Sequence, residues 1–267
     1  MSGFIDFHTH AFPDDLAARA IPYLEEEGNV KAFLNGTVAD LLRSMDRAGI
    51  EKSLICSIAT RPSQFQSILD WSRTIRTERL IPLPSVHPQA ADLGDQLRVI
   101  HEEGFTGIKL HPYYQDFFID DQRLEKLYGA LVEHDLLVVM HTGFDIAFPR
   151  TERCNPARIL TVLEKFPELK LITTHLGAWD QWEEVRELLI GKPIYMELSY
   201  ALDFLDPRIA RTMITDHPRE YLLFGSDSPW SDQKTSLDLL RGLNLETELF
   251  HAITRDNAES LLNRISL

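Results

Sequence analysis

Eight short apolar runs, spread along nearly the whole chain and separated by segments of helical period, constrain the fold more than any other feature. They are FIDFHTH (4–10), KSLICSIA (52–59), LIPLPSVHP (80–88), GFTGIKLHP (104–112), LLVVMHTG (136–143), KLITTHLG (170–177), IYMELSYA (194–201) and LLFGSDSPW (222–230). Several are almost unbroken Leu, Ile, Val and Phe, the composition of parallel strands covered on both faces. Between them, Val38, Leu41, Leu42 and Met45 form the stripe of one helix that closes at Gly49, and Leu124, Leu127, Leu131 and Val132 form another. Asn155 followed by Pro156 opens a third helix that stops at Pro167, and Asp180 with Glu183 has capping-box spacing at the start of a fourth. Strand and helix repeated eight times, without a linker, predict the α/β class and a (β/α)8 TIM barrel; 267 residues is close to the usual size of about 250. The competing arrangement is an open doubly wound sheet, which binds ligands at a switch point, but no Gly-rich phosphate loop follows any run. Residues 1–267 are expected to form a single barrel domain. It would carry an extra segment at 11–36 after strand one, with a helix around DDLAARAIPYLEEEG, and a helical C-terminal tail from Leu245.

In such a barrel the C-terminal ends of all strands open on one mouth. His8 and His10 end run one, His87 run three, Lys109 and His111 run four, His141 run five, His175 run six and Asp227 run eight. Residues i and i+2 of a strand share a face. His8 and His10 therefore both point to the barrel axis and can hold one cation, with Asp6 on the same parity one layer below. Each residue alone has a plainer reading. The His-Thr-His stretch can be a hydrogen-bonded structural pair, His141 a polar core residue, His175 a supporting donor, and Asp227, before Ser-Pro, a turn cap. Taken together, four histidines and one aspartate at strand ends one, five, six and eight predict a metal site. Histidine nitrogen with carboxylate oxygen suits Zn2+, with Mn2+ and Co2+ also compatible, and the lack of cysteine there points to a catalytic ion. His101, His134, His217 and His251 fall in helical or turn segments and are assigned to solvated surface. His87 and His111, each before Pro, are assigned a supporting or substrate role rather than ligation.

Charge narrows the partners. There are 27 basic and 41 acidic side chains, for a formal net charge of −14. That disfavours nucleic acid and an anionic membrane surface, while small-molecule substrates and homo-oligomers stay open. Cys56 and Cys154 make no disulfide framework, and no apolar leader precedes residue 4. No stretch approaches the ~18 apolar residues of a membrane span. A cytoplasmic protein is the expectation. Arg61, Arg150 and Arg153 follow strands two and five, where each can either pair a substrate carboxylate or sit in water. Phe144 and Trp230 offer walls for an apolar pocket.

FIDFHTHAFP, VVMHTGFD, ITTHLGAW and LFGSDSPW, in this order, resemble the strand-end motifs of the amidohydrolase superfamily. The likeness is nearest to its amidohydrolase-2 (amidohydrolase-related) branch, which also includes aminocarboxymuconate-semialdehyde decarboxylase, and it covers nearly the whole chain. The resemblance implies a (β/α)8 barrel with a divalent metal, commonly zinc, held by His8, His10, His141 and Asp227. For His175 it implies the catalytic histidine beside one ion, or a ligand of a second ion. Lys109 in GIKLHP lies near the strand-four lysine that some members carry carboxylated between two metals; a structural or substrate-binding lysine is the other reading. His111 and Arg150 are candidates for substrate or second-metal contacts. The chain is shorter than the decarboxylases of the branch, so their substrate loops need not carry over.

Two reactions suit these residues. The first is hydrolysis of a small amide, lactone or ester through a metal-activated water, with Asp227 taking the water's proton and His175 orienting the water or polarising the carbonyl. The alternative is metal-dependent, non-oxidative decarboxylation or hydration of a small unsaturated or aromatic carboxylic acid. A non-catalytic metal-binding barrel is a third reading. Metal analysis of the purified protein is expected to find about one and at most two divalent ions per chain, and chelation should abolish turnover. A folded protein that takes up no metal would remove the basis of both reactions.

Overall fold

The computed structural model describes residues 3–265. Strand β1 (Phe4–Thr9) is followed by α1 (Asp14–Gly28) and α2 (Val38–Ala48). From β2 (Ile50–Cys56) onward helices and strands alternate: α3 (Phe65–Ile75), β3 (Leu80–Leu83), α4 (Leu93–Glu102), β4 (Gly107–Leu110), α5 (Glu125–Glu133), β5 (Leu137–Met140), α6 (Pro156–Lys165), β6 (Leu171–Thr173), α7 (Trp182–Leu188), β7 (Tyr195–Glu197), α8 (Pro207–Asp216), β8 (Leu222–Leu223) and α9 (Gln233–Gly242). Helices α10 (Thr247–His251) and α11 (Asn257–Ile265) follow. Among the described residues no helix is long and apolar enough to cross a membrane.

Parallel ladders join β1 to β2, β2 to β3, and β4 through β8 in sequence order. Individual hydrogen bonds close the two remaining seams. Between β3 and β4, the Lys109 amide donates to Pro84 O at 3.0 Å and Ser85 Oγ to Lys109 O at 2.7 Å. Between β8 and β1, the Phe7 amide donates to Phe224 O and the Asp227 amide to His8 O, both at 2.8 Å. The eight strands thus close into the barrel that the alternating pattern predicts.

Local chemistry accounts for several helix ends. Thr37 accepts from the Asp40 amide at the start of α2, which ends at Gly49 with φ 73°, a left-handed conformation that glycine adopts without steric cost. Asn155 accepts from the Arg158 amide at the start of α6, with Pro156 in its first turn. The expected cap of α7 is displaced. That helix begins at Trp182 with Gln181 as its flanking residue, while Asp180 takes a left-handed φ of 55° and turns its carboxylate to Arg150.

Apolar residues form two layers. Leu41, Met45, Ile108, Val138 and Met196 belong to the shell between strands and helices. Ile5, Phe7, Leu54, Leu83, Leu137, Val139 and Ile172 belong to the inner cluster, to which α11 adds Ala258, Leu261 and Leu262. The C-terminal helix thereby plugs the barrel at the strand beginnings and leaves the strand ends as the open mouth.

The expected parity of β1 needs correction. Asp6 pairs with Ser53 and Thr9 with Ile55, so β1 carries one extra residue over this stretch. Such a bulge re-aims the side chains beyond it. Ile5 and Phe7 face the interior, and Asp6 does not lie beneath the histidines. Asp6 instead faces α9, where its carboxylate accepts from Ser226 Oγ (2.6 Å), the Ser226 amide (3.0 Å) and Gln233 Nε2 (2.8 Å). After the bulge, His8 and His10 are the residues turned inward.

Burial raises the Asp6 carboxyl from 3.8 to about 6, against the pull of those hydrogen bonds. Between these values the folded protein keeps a proton that the unfolded chain has lost, so the contribution of Asp6 falls as pH rises. Urea unfolding of wild type and Asp6→Asn at pH 4 to 7 is expected to show the largest stability gap near pH 4. The gap should shrink by on the order of 3 kcal/mol above pH 6; a pH-independent gap would refute the assignment.

Candidate active site

Three of the predicted residues meet at the mouth within hydrogen-bonding range. His8 Nε2 and His10 Nε2 are 3.1 Å apart, and Asp227 Oδ1 lies 3.1 Å from His10 Nε2 and 3.5 Å from His8 Nε2. The outer nitrogen of each ring is occupied. His10 Nδ1 donates to Cys56 O at 2.7 Å, and His8 Nδ1 to Glu197 Oε1 at 3.0 Å. Those acceptors set the tautomers, so both inner nitrogens carry lone pairs. Asp227 Oδ1 is buried and has no hydrogen-bond partner. Asp227 and His175 have left-handed backbones, φ 61° and 59°, conformations uncommon outside glycine that recur at functional sites.

His141 and His175 form an adjoining pair. His175 Nδ1 donates to Ser199 O at 3.0 Å and His141 Nε2 to Phe144 O at 3.0 Å, which leaves His175 Nε2 and His141 Nδ1 facing each other at 3.2 Å. The loops after β5 and β6 must nearly touch to bring these rings together. Gly143, at φ 86°, allows it, because a Cβ there would sit 2.1 Å from the Trp179 amide nitrogen. The expected four-ligand set is therefore divided. The ligand atoms of His8, His10 and Asp227 lie within 4.8 Å of one another, whereas His141 is grouped with His111 and Asp145.

Two buried ionisable side chains complete the floor. Lys109, only 1% exposed, reaches inward so that Nζ is 3.1 Å from His8 Nε2. Glu197 on β7 accepts from His8 Nδ1, Ser199 Oγ (2.7 Å) and the His175 amide (3.1 Å). It thus ties the triad to the His141–His175 pair. Gly225 gives it room, since a Cβ at that position would lie 2.1 Å from Glu197 Oε2. Burial pushes Glu197 up to about 8. It also lowers His8, His141 and His175, so these rings are neutral near pH 7 and available as lone-pair donors.

Above the floor is a cavity of about 410 Å³ walled by Trp71, Tyr114, Trp179, Tyr200 and Trp230. His111 lines it too, stacked on His141 with ring centroids 4.1 Å apart and with Nε2 3.3 Å from Asp145 Oδ2.

The family model described as Amidohydrolase matches residues 5–264. The chain belongs to the amidohydrolase family. Three solved structures are similar to it. An uncharacterized TIM-barrel protein from Bordetella bronchiseptica is 21% identical, with TM-score 0.82 and 99% of each chain covered. A putative 2-pyrone-4,6-dicarboxylic acid hydrolase from Pseudomonas putida is 16% identical, with TM-score 0.67, covering 100% of this chain and 99% of that one. A 5-carboxyvanillate decarboxylase from Novosphingobium aromaticivorans, solved with bound manganese, is 13% identical, with TM-score 0.70 and 97% of each chain covered. At these identities the likeness shows the fold. Comparison with curated proteins gives no match.

The family is metal-dependent, and the donor set of this amidohydrolase fits a divalent ion. Facing lone pairs at 3.1 and 3.2 Å beside an unpaired buried carboxylate oxygen repel one another, and a cation relieves that repulsion. Nitrogen and oxygen donors of this kind accept zinc or manganese alike.

Other expected residues are placed elsewhere. Arg150 is held by Asp180 and lies over the Phe144 ring at 4.0 Å, so neither Arg150 nor Phe144 lines the cavity. Arg153 is held by Asp116, and Arg61 is exposed outside the cavity. His87 accepts from the Gln89 amide in its own turn and is absent from the walls. His217, expected at the surface, is buried and bonded to Ile194 O. Glu197 and Asp145 were missed. A glutamate inside the apolar run IYMELSYA was a usable signal, and Asp145 closes the quoted motif VVMHTGFD, four residues after His141.

Glu197→Gln keeps the size of the side chain but weakens its hold on the His8 ring. It is expected to reduce metal affinity about 10- to 100-fold in a chelator competition. Unaltered affinity would show that Glu197 does not orient His8.

Proposed function

We propose that the protein is a metal-dependent hydrolase that cleaves an amide, lactone or ester bond of a small, uncharged organic substrate. The observation that carries this reading is Asp227 Oδ1, a buried carboxylate oxygen without a donor, beside inward lone pairs of His8 and His10 on the cavity floor. A divalent ion, zinc in this reading, held by His8, His10 and Asp227 with His141 and His175 alongside, supplies a Lewis acid that acidifies water and offsets oxyanion charge.

The chain's own residues move the proton. Asp227 takes it from the attacking water and passes it to the leaving nitrogen or oxygen as the carbon–heteroatom bond breaks. His175, held through Nδ1 by Ser199 O, accepts a hydrogen bond at Nε2 from that water and fixes its approach. The Lys109 ammonium donates to the carbonyl oxygen as charge builds there. Trp179, Tyr200 and Trp230 keep bulk water from the floor. Among the described residues no arginine lines the cavity, which favours an uncharged substrate.

Lys109 supports a second reading. It is the one lysine or arginine among the described residues of the cavity wall, suited to hold a single carboxylate. Similarity to a 5-carboxyvanillate decarboxylase points the same way. In that reaction the carboxylate leaves as CO2, its bonding electrons stay on the substrate carbon, and that carbon takes a proton from the acid form of Asp227.

A panel of lactones, esters and amides, assayed beside aromatic and unsaturated carboxylic acids with CO2 detection, separates the two. Hydrolysis without CO2 is expected; CO2 release without hydrolysis would overturn the first reading. Asp227→Asn should stay folded and lose on the order of 10³-fold in kcat/KM. Unchanged turnover would eliminate its role in proton transfer.

A further inference from the structure

We infer that the substrate carries an uncharged, apolar tail, alkyl or arylalkyl, that lies in an outer chamber built largely by the segment between β1 and α2. This inference rests on reading the floor as the reacting end.

The cavity divides by chemistry. All of its charged and imidazole side chains sit on the floor or immediately beside it. The outer part is lined by Leu16 and Leu24 of α1, Val30 just after it, Ile68 and Trp71 of α3, and Ile146 in the loop after β5. None of these residues belongs to a barrel strand, and Leu16, Leu24 and Val30 come from the segment added between β1 and α2. At about 410 Å³ the whole cavity falls in the range that encloses a drug-sized ligand, well beyond what a scissile bond and one small ring need.

The chamber is held in place. The Phe12 amide donates to Gly36 O at 2.8 Å, closing the base of the segment, and the Phe33 amide donates to Pro229 O at 2.7 Å, tying its far end to the loop after β8. The end of α1 meets the opposite wall, since a Cβ at Gly28 would be 3.8 Å from Ile146 Cγ1. Leu16 and Ile146 nevertheless remain 42% and 48% exposed at the rim. A tail would cover this apolar surface, and each buried methylene would strengthen binding. A charged tail would find no counter-ion among the described lining residues, because Lys109 is on the floor. A second carboxylate would lose part of its hydration against leucine and isoleucine, with the uncharged Gln64 and Ser67 as polar neighbours, which disfavours it.

The test uses the metal-loaded protein and straight-chain hydroxamic acids from acetohydroxamate to octanohydroxamate. Their head group binds metal, and only the tail varies. Trp71, Trp179 and Trp230 line the cavity, so quenching of tryptophan fluorescence reports Kd without any turnover. Kd is expected to fall about threefold for each added methylene. Octanohydroxamate bearing a terminal carboxylate should bind at least about tenfold more weakly than octanohydroxamate itself. Leu16→Gln, at a half-exposed position, and Ile68→Asn should each flatten the dependence on chain length.

A Kd independent of chain length, with acetohydroxamate still binding, would overturn the tail and leave the floor reading standing. Equal affinity for the carboxylated compound would overturn the uncharged chamber. Long members that bind equally tightly to the metal-loaded and the chelator-treated protein would support the tail and count against the floor. Failure of every member to bind would overturn both.

Discussion

The site depends on a constraint applied from behind it. His8, His10, His141 and His175 each give one ring nitrogen to a fixed acceptor, respectively Glu197, Cys56 O, Phe144 O and Ser199 O. A neutral imidazole has one proton to give. Once that proton is committed outward, the inner nitrogen presents a lone pair, and burial keeps the His8, His141 and His175 rings from acquiring a second proton. Facing lone pairs beside an unpaired carboxylate oxygen favour a cation, and the barrel supplies the rigidity that keeps the rings from turning away.

That rigidity has local sources. The bulge in β1 turns His8 and His10 inward while Asp6 clamps the strand to the loop after β8 and to α9. Gly143 and Gly225 remove side chains where two loops, or a loop and Glu197, approach too closely for a Cβ. Tertiary restraint of this kind holds Asp227 and His175 in left-handed conformations against the local cost of order 1 kcal/mol each.

Some of this was legible before the fold was in hand, and the legible parts share a physical character. Alternating apolar runs and amphipathic stripes report solvent exposure along a chain, so strand and helix order could be read directly. The helix expected around DDLAARAIPYLEEEG is α1, Asp14–Gly28. Residues at strand ends were legible as a group because a barrel sends all such ends to one place. The parity of Asp6 was misread because a bulge is set by pairing with β2, and alternation along β1 carries no sign of it. Asp180 was misread as a helix cap because Arg150, thirty positions earlier, competes for its carboxylate.

By itself, then, the chain's order of residues determined the architecture, the family and the residue types available at the mouth, since these follow from periodicity and from short motifs read in order. Tertiary structure decided which donors share a point in space, that His141 stands with His175 and His111 beside the His8–His10–Asp227 group, and that Glu197 backs them. It also decided that the cavity is walled by aromatic and aliphatic side chains with the arginines turned away. Distances between residues two hundred positions apart arise from strand register, bulges and loop contacts, each a balance among many neighbours that no local stretch encodes.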